Sequence, residues 1–460
     1  MNFLKAPVKI LAREILTRSP FSVEYFEIIP SGLQNTAVSF DKSLQKFALK
    51  YSEKFEREEW IKIQLIKLKK ILNHSGNTVK YWNTIFRQIQ FNHHQLKDLE
   101  EINSIPLLSR EIIKKTPAEL LLNTHLPRYR RIEVSTSGST GEPLLFFQDQ
   151  RAIFRKRTGA FQELEYIEER ATGETLVLGL SSHIWIDNTI QSFSGTDLEL
   201  ENTRKKIIYP YIFSSKPERL ITTPSLLKRL AQLMEQDGAS FHFRVIKHVG
   251  EPLGNTDIRV LEKTFKAKLY STYGSREIPL FGIECNAKKF HLAPWMNYLQ
   301  ILDDNNSLLP DGEEGKIVVT FFENYVMPFI RYDIGDRGII HSEPCSCGRQ
   351  TKTITFTGRA GGSIETPSGK SVMFLSISSA IAKNFHDEIA RFQLEQTAPD
   401  KLIFRFIPSA RYTPAADKQL TQTLQSLLYN EITCELDRVP VILPNSEGKT
   451  PIFIKKFLTS

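Results

Sequence analysis

The stretch STSGSTGEP, residues 135–143, decides how the fold of this chain is interpreted. Its glycines let the backbone bend tightly and approach a ligand closely, and its serine and threonine hydroxyls add hydrogen-bond donors. Such a segment is either a surface turn or a loop whose backbone N–H groups bind a polyphosphate. The predicted phosphate loop consists of Ser135, Thr136, Ser137, Gly138, Ser139, Thr140 and Gly141.

The composition around this loop is that of a globular protein. The chain has 460 residues, of which 41% are hydrophobic and 24% charged, and this length predicts two or more domains. A formal charge of +8 suits an anionic small molecule as well as a nucleic acid. We expect no nucleic-acid partner, because basic residues do not form a stripe interleaved with aromatics. The densest basic cluster, LPRYRR at 126–131, is either a solvated loop or a site that attracts an anionic ligand.

The hydropathy pattern predicts a cytoplasmic protein. No apolar run approaches the roughly 18 residues that span a bilayer. The first twenty residues lack the long apolar block of a secretory signal. We interpret this basic, amphipathic start as a packed helix, with attachment to a membrane surface as the alternative. The sequence leaves the oligomeric state open between monomer and homodimer.

The order of the predicted elements indicates the α/β class. Residues 41–100 and 105–121 are predicted to be helical, with Ser109 as a helix N-cap. From about residue 130, short apolar strands alternate with helices, for example the strand at 174–180 and the helix at 225–238. This alternation predicts a large domain with mixed, layered sheets.

The last hundred residues have a pattern of their own. Two apolar segments, a helix predicted at 416–430 and the segment RVPVIL at 438–443 suggest a small α+β unit. We therefore predict a large multi-layer N-terminal domain over 1–357, mainly helical over 1–125, and a mobile lid domain over 358–460.

Four further motifs follow the glycine loop. They are STYGSREI at 271–278, MPFIRYDIGD at 327–336, TGR at 357–359 and NSEGK at 445–449. Together with the glycine loop, these motifs resemble, in the same order, the signature motifs of the adenylate-forming superfamily. The chain most resembles the branch of the phenylacetate–CoA ligases, which includes CapK-type capsule proteins.

The resemblance implies a role for each matched residue. The glycine loop would hold the β and γ phosphates of ATP, and Glu277 would bind a Mg²⁺ ion, since hard cations prefer carboxylate oxygens. Tyr273, followed by Gly274, would stack near the adenine. Asp336 would accept hydrogen bonds from the ribose hydroxyls, and Arg359 would lie near the ribose or phosphate. Without the resemblance, each acidic residue also has a structural interpretation. Glu277 could be an exposed acid at the start of a helix, and Asp336 could be an aspartate that caps a turn.

The resemblance also implies a catalytic lysine in the lid. Lys449 is the candidate for contact with the acyl carboxylate and the α-phosphate, and a flexible point charge suits a group carried by a moving domain. Lys455 and Lys456 are competing candidates. The segment 181–188 and the segment around His248 are candidates for lining the acid pocket.

Two departures from the family pattern limit what the resemblance implies. Gly361 and Gly362 stand where many family hinges have acidic residues, so the resemblance supports the first half-reaction more directly than the lid movement and the second half-reaction. Arg276 stands in the Tyr-Gly-x-x-Glu motif where a threonine or serine is usual.

Three of the four cysteines suggest a metal site. The predicted ligands of a structural zinc ion are Cys285, His291, Cys345 and Cys347. His341 is the alternative fourth ligand, and inert core thiols are the alternative to a metal. We predict that such a zinc would hold Glu277 and Asp336 in register. Cys434 is predicted to be a core residue on a C-terminal helix.

The motifs predict an ATP-dependent, AMP-forming ligase for an aryl or acyl carboxylic acid. The acid would become an acyl-adenylate, and coenzyme A would then accept the acyl group. One alternative keeps the adenylation but transfers the acyl group to an amine, a sugar hydroxyl or a carrier-protein thiol. A second alternative is a binding protein without catalysis. The sequence does not identify the acid.

Overall fold

The structure of this protein is a computed structural model. It describes residues 5–18, 31–53, 55–123, 125–126, 130–136, 144–149, 152, 163–164, 166–167, 169, 173–179, 190–250, 253, 255–359, 363–368, 370–373, 377, 380–381, 384–385, 388–443 and 453–456. Among these residues, no helix is both long and apolar enough to cross a membrane.

The N-terminal region is helical, as predicted. Its helices are α1 Lys5–Thr17, α2 Ser31–Ser52, α3 Arg57–Thr78, α4 Lys80–Gln88, α5 Arg110–Lys115 and α6 Ala118–Leu121, with a 3-10 turn at Glu100–Ser104. The predicted cap is confirmed, because Ile112 N donates to Ser109 Oγ over 3.2 Å. The helical prediction was wrong for residues 91–99, where the backbone is held by local turns such as the bond from His94 N to the Asn92 side chain.

An eleven-stranded sheet is the centre of the described large domain. Two further strands, β1 Arg131–Thr136 and β2 Leu144–Asp149, form a separate antiparallel hairpin. The sheet consists of β3 Thr175–Leu178, β4 Ile190–Phe193, β5 Arg219–Thr222, β6 Val245–His248, β7 Lys268–Tyr273, β8 Gly282–Glu284, β9 Phe290–Leu292, β10 Asn297–Leu302, β11 Glu314–Phe321, β12 Tyr332–His341 and β13 Thr353–Arg359. Their order in space is β10-β11-β12-β13-β9-β8-β7-β6-β5-β3-β4.

Strand β7 divides this sheet into two halves. On one side, β3 to β7 pair only in parallel, and on the other side β7 to β13 pair only antiparallel. We call these the parallel half and the antiparallel half. Because β7 belongs to both, the residues at its carboxyl end lie where the two pairing patterns meet.

Helices cover one face of the parallel half. They are α7 Gly195–Glu199, α8 Glu201–Thr203, a π-helical turn Arg204–Ile208, α9 Tyr209–Ser215, α10 Pro224–Asp237 and α11 Asn255–Phe265. The predicted helix at 225–238 corresponds to α10, which begins at the Thr223 cap and ends at Gly238 in the left-handed conformation. Leucines of α10 and α11 pack on alternate residues of the strands, including Leu220 and Ile246.

The C-terminal region has a core of its own. Its elements are β14 Ser363–Glu365, β15 Ser371–Met373, β16 Ile389–Ala398, β17 Lys401–Pro408, α12 Ala416–Leu427, β18 Thr433–Arg438 and β19 Phe453–Lys455. A separate cluster of buried side chains, including Leu394, Phe404 and Leu420, fills it. The α/β class with a smaller α+β region is thus confirmed. The predicted boundary at 357/358 falls inside β13.

One detail of the C-terminal prediction was wrong. Cys434 lies on strand β18, half-buried, and not on a helix, because this segment pairs in parallel with β17. The segment RVPVIL begins at Arg438, the last residue of β18, and Val439 N still donates to Phe406 O of β17 over 3.0 Å.

Candidate active site

Two motif residues 63 positions apart meet at the carboxyl end of β7. Tyr273 is the last residue of this strand, and its hydroxyl donates a hydrogen bond to Asp336 Oδ2 on β12. The Tyr273 ring stacks on Phe356 of β13, with ring centroids 3.3 Å apart. The backbone of Arg359, at the end of β13, lies directly opposite Asp336 in the β12–β13 register. Three predicted nucleotide-site residues therefore share one corner of the sheet.

Asp336 is not the turn aspartate of its motif. Asp333 has that role, because its Oδ1 accepts the backbone N–H of Gly335 over 2.9 Å. Asp336 instead lies on β12 just before the register shift at Arg337, half-buried beside Tyr273. Its carboxylate thus belongs to the corner formed by three strands.

Glu277 is buried in the turn that joins β7 to β8. It is 7% exposed, and Tyr332 Oη on β12 donates to Glu277 Oε1 over 3.4 Å, so it is not an exposed helix-start acid. Burial, together with the charge of Glu277, raises the pKa of Tyr332 far above its usual value. Gly274 is required in this turn, because a Cβ atom there would overlap the carbonyl oxygen of Pro279.

The hairpin that carries the glycine loop is anchored to the same turn. Ser135 and Thr136 end β1, and Thr136 pairs with Leu144 at the start of β2. The remaining predicted loop residues, 137–141, lie outside the described residues. On β2, Gln148 Nε2 donates to the carbonyl oxygen of Arg276. Arg276, where the sequence departs from the family pattern, therefore contacts the hairpin through its backbone carbonyl.

A buried ion pair closes the other end of this hairpin. Arg130 donates from Nη2 and Nε to the two carboxylate oxygens of Asp149 over 2.6 and 3.1 Å. Asp149 N in turn donates to Asn324 Oδ1 over 2.9 Å. Arg130 is only 6% exposed, so neither sequence interpretation of the basic cluster, a solvated loop or an anion-attracting site, holds for this residue.

The three candidate lysines of the C-terminal region differ in what the structure describes. Lys449, the predicted catalytic lysine, lies outside the described residues. Lys456 forms an ion pair with Glu395 over 2.7 Å, and Arg405 contacts the same carboxylate. Lys455 is the last residue of β19, which pairs in parallel with β16. The Lys456 side chain is thus engaged on the C-terminal sheet, which argues against it as the catalytic lysine.

The four predicted metal ligands come together in the antiparallel half. One ligand atom from each of Cys285, His291, Cys345 and Cys347 lies within 4.8 Å of all the others. The Sγ atoms of Cys285 and Cys345 are 3.8 Å apart, and His291 Nε2 is 3.1 Å from Cys347 Sγ. Two thiolates each about 2.3 Å from one tetrahedral ion would be about 3.8 Å apart. The donor set therefore fits a tetrahedral zinc ion.

The surroundings of the cluster orient its ligands. His291 Nδ1 lies 3.0 Å from the carbonyl oxygen of Thr351, an arrangement that leaves Nε2 free to bind a metal. Burial lowers the pKa of His291 to about 4, so that the ring is neutral at pH 7. Burial would raise the pKa of Cys347, but hydrogen bonds, led by the backbone N–H of Arg349, hold it below its usual value. His341 is not part of the cluster, because its Nε2 pairs with Thr355 Oγ1 over 2.9 Å.

Two contacts that the sequence did not suggest support the cluster loop. The Arg349 guanidinium lies over the Tyr166 ring, 4.3 Å from its centroid, and 3.9 Å from Glu53 in the helical region. The cluster itself joins the β8–β9 turn to the connection between β12 and β13. It therefore links β8, the strand that follows Glu277, to the end of β12, the strand that carries Asp336.

At the carboxyl end of the parallel half, two buried polar side chains have no hydrogen-bond partner among the residues that the structure describes. They are Thr222 Oγ1, at the end of β5, and both ring nitrogens of His248, at the end of β6. Burial, with a smaller contribution from the charge of Lys288, lowers the pKa of His248 to about 4. The sequence pattern indicated the His248 segment but not Thr222. The signal at Thr222 is a polar residue that ends an apolar strand.

The comparisons with known proteins agree with this geometry. The chain is 25% identical over 328 residues to a phenylacetate–coenzyme A ligase of Aromatoleum evansii, covering 67% of this chain and 72% of the relative. It is 22% identical over 312 residues to the phenylacetate–coenzyme A ligase of Thermus thermophilus, covering 65% and 69%. No family model matches the chain.

A solved structure shares the fold. The structure of a 2-hydroxyisobutyryl-CoA ligase, in the postadenylation state with an acyl-AMP, superposes with a TM-score of 0.71 at 17% identity, covering 87% of this chain and 90% of that one. The predicted resemblance to the adenylate-forming superfamily and its phenylacetate–CoA ligase branch is confirmed.

Proposed function

We propose that this chain, a relative of the phenylacetate–CoA ligases in sequence and of the adenylate-forming enzymes in fold, is an ATP-dependent, AMP-forming carboxylic acid–CoA ligase. The observation that carries the proposal is the corner where Tyr273 bonds to Asp336 opposite Arg359. These residues come from three separate motifs of the superfamily, and the fold brings them together at the end of β7.

In the first half-reaction, a carboxylate oxygen of the acid attacks the α-phosphorus of ATP, and the bond to pyrophosphate breaks. The two reactants are both anionic, so the site has to align them and stabilise the developing charge. Tyr273 supports the adenine by stacking, and Asp336 accepts hydrogen bonds from the ribose hydroxyls, with Arg359 beside the ribose or phosphate. The glycine loop at the tip of the β1–β2 hairpin holds the β and γ phosphates.

Glu277 would hold a Mg²⁺ ion that neutralises phosphate charge. The support for this assignment is the burial of the Glu277 carboxylate beside the Tyr332 hydroxyl. Oxygen ligands are those that Mg²⁺ prefers.

The lid would supply Lys449 to the first half-reaction and withdraw it before the second. In the second half-reaction, the sulfur of coenzyme A attacks the acyl carbonyl carbon and AMP leaves. We propose a division near residues 357–358, with movement of the lid, since one arrangement must bring the lysine in and the other must open a path for the thiol. The separate core of the C-terminal region supports this division.

The Cys285, His291, Cys345 and Cys347 cluster would bind a structural zinc ion. Support comes from the ligand distances and from the contact of His291 with Thr351. Such an ion would hold the β8–β9 turn to the β12–β13 connection, and so keep Glu277 and Asp336 in register.

The acceptor and the compartment are parts of the same proposal. Coenzyme A is favoured because the relatives that match over two thirds of their length are coenzyme A ligases. An amine, a sugar hydroxyl or a carrier-protein thiol is the alternative acceptor. We propose the cytoplasm as the compartment, since four cysteines without a disulfide pattern suit a reducing environment.

The test is acid-dependent release of pyrophosphate from ATP, measured with and without coenzyme A. We expect AMP and an acyl-CoA product when all three substrates are present. AMP formed with the acid alone, and not stimulated by coenzyme A, would favour a different acceptor. No pyrophosphate release with any aryl or acyl acid would overturn the proposal.

A pair of lysine variants tests the proposed role of the lid. Lys449→Ala should lower the rate of pyrophosphate release about a hundredfold or more, because it removes a donor to the transition state. The matched control is Lys401→Ala, an exposed lysine at the start of β17, which should keep the wild-type rate. Equal rates for both variants would exclude Lys449 from the adenylation step.

A further inference from the structure

The ends of two neighbouring strands carry buried polar groups that no other described residue satisfies. Thr222 is fully buried and His248 is 5% exposed, yet Thr222 Oγ1 and both ring nitrogens of His248 have no hydrogen-bond partner in the part of the chain that the structure describes. The two residues are register partners in the parallel pairing of β5 with β6. Neighbouring strands lie roughly 4.8 Å apart, so the two side chains are close neighbours.

Both side chains lie on the same face of the sheet. Leu220 and Ile246, two residues earlier on each strand, pack in the core formed with α10 and α11. Because side chains alternate along a strand, Thr222 and His248 lie on that face as well. The intervening Lys247 lies on the opposite face, where its Nζ binds Glu163 over 2.7 Å.

Position in the sheet connects the two residues to ligand binding. Each is the last residue of its strand, at the carboxyl edge of a parallel array. In open α/β sheets, ligands bind in the crevice beyond this edge. The same edge ends at Tyr273 of β7, so the pair and the proposed nucleotide corner lie along one side of the sheet.

Leaving both side chains without a hydrogen-bond partner is energetically unfavourable. A buried polar group without a partner destabilises the folded state, and nearly all such groups in folded proteins have one. Valine and phenylalanine would fill the two positions without this cost. The presence of a threonine and a histidine is explained if a bound ligand supplies the missing partners.

We propose that Thr222 and His248 are specificity-determining residues that bind a hydroxyl or carbonyl substituent on the acid, at a distance from its carboxylate. The substrate class is then a polar-substituted carboxylic acid, and not a plain aryl or alkyl acid. This assignment rests on the proposed ligase function. A neutral imidazole offers one donor and one acceptor, and the threonine hydroxyl offers both, so the pair can bind a substituent of either kind.

The experiment compares acids that differ in one hydroxyl. The probes are phenylacetate with 3- and 4-hydroxyphenylacetate, benzoate with 3- and 4-hydroxybenzoate, and hexanoate with 6-hydroxyhexanoate. For the wild type, we expect kcat/KM for pyrophosphate release to favour a hydroxylated acid over its parent at least tenfold, because the parent leaves the buried pair unsatisfied.

Variants connect this preference to the pair. Thr222→Val keeps the shape of the side chain and removes the hydroxyl, and His248→Phe keeps a ring and removes both nitrogens. Each should reduce the preference to near unity, mainly by lowering activity on the hydroxylated acid. The control is Thr264→Val, on an exposed face of α11, where the hydroxyl donates to Val260 O of its own helix. This variant should keep the wild-type preference.

Thermal stabilisation by each acid, measured without ATP, separates this proposal from the proposed function. If the wild type is stabilised more by a hydroxylated acid than by its parent, and Thr222→Val is not, the assignment holds even when no pyrophosphate is released. If parent acids are used and bound as well as the hydroxylated acids, the assignment is overturned while the ligase function stands. A preference that is unchanged in Thr222→Val would overturn it as well, and this variant serves if His248→Phe does not fold.

Discussion

The two halves of the large sheet differ in how their candidate site residues are partnered. In the antiparallel half, the candidate site residues contact one another: Tyr273 bonds to Asp336, and the cysteines of the cluster contact one another and His291. In the parallel half, Thr222 Oγ1 and the ring nitrogens of His248 are buried at the ends of their strands without a hydrogen-bond partner among the described residues.

This difference separates two requirements of a site. Antiparallel pairing joins distant segments in a fixed register, so the antiparallel half can hold a preformed arrangement of ligands for a common cosubstrate. At the carboxyl edge of a parallel array, ligands bind beyond the strand ends, so polar groups there are available to bind a substrate that varies between enzymes. We therefore expect damage to the antiparallel half to abolish folding or adenylation, and changes in the parallel half to alter which acid is used.

The largest effect should come from removing a cluster ligand. Cys345→Ser should abolish zinc binding and lower the free energy of unfolding by on the order of 4–5 kcal/mol, as expected for the loss of a structural metal. Metal analysis and thermal unfolding measure both. Cys434→Ser, on lid strand β18 outside the cluster, is the control and should keep the metal. Metal-free protein with unchanged stability would show that the cluster does not hold the antiparallel half together.

The pH dependence of stability tests the burial of His248 in the parallel half. The folded pKa of His248 is about 4 because of burial and the charge of Lys288, whereas an unfolded histidine has a pKa of about 6.5. The unfolded state therefore binds a proton first, and stability is lost as pH falls from 6.5 to 4. His248→Phe should lack this loss, a difference of up to about 3 kcal/mol at pH 4. Parallel unfolding curves for wild type and variant over this range would contradict the assigned burial.

A variant of Asp336 tests the proposed hydrogen bonds between this residue and the ribose hydroxyls of ATP. Asp336→Ala should lower kcat/KM for ATP about 10- to 100-fold, since hydrogen bonds to a charged acceptor contribute about 1.5–3 kcal/mol. Asp333→Asn is the control on the same strand, because an asparagine oxygen can still accept the N–H of Gly335. If both variants behave alike, Asp336 serves only the fold.

The smallest effect concerns the turn beside Glu277. Gly274→Ala should destabilise the protein by about 1–3 kcal/mol and lower adenylation, because the added methyl group displaces the turn. Gly238→Ala, at the end of α10, is the control: its added Cβ meets open space but a positive φ, so stability should fall without loss of activity. Retention of full adenylation by Gly274→Ala would separate this turn from the active site.

Local patterns were sufficient for many elements. The cap at Ser109 and the ends of α10 follow from residues a few positions apart, and such signals do not depend on distant partners. The errors lie where distant pairing decides the outcome. Cys434 lies on a strand because its segment pairs with the edge of β17, and Arg130 is buried because Asp149 neutralises its charge.

The sequence by itself determined the kind of protein: an α/β chain whose ordered motifs carry the residue types that adenylation requires. It also identified the four candidate zinc ligands but left the histidine open between His291 and His341. Only the tertiary structure decided that choice, brought Tyr273 to Asp336, and buried the side chains of Thr222 and His248 without a hydrogen-bond partner among the described residues. The physical reason is that residue type sets which interactions a side chain can make, whereas strand register and burial set which of them it makes.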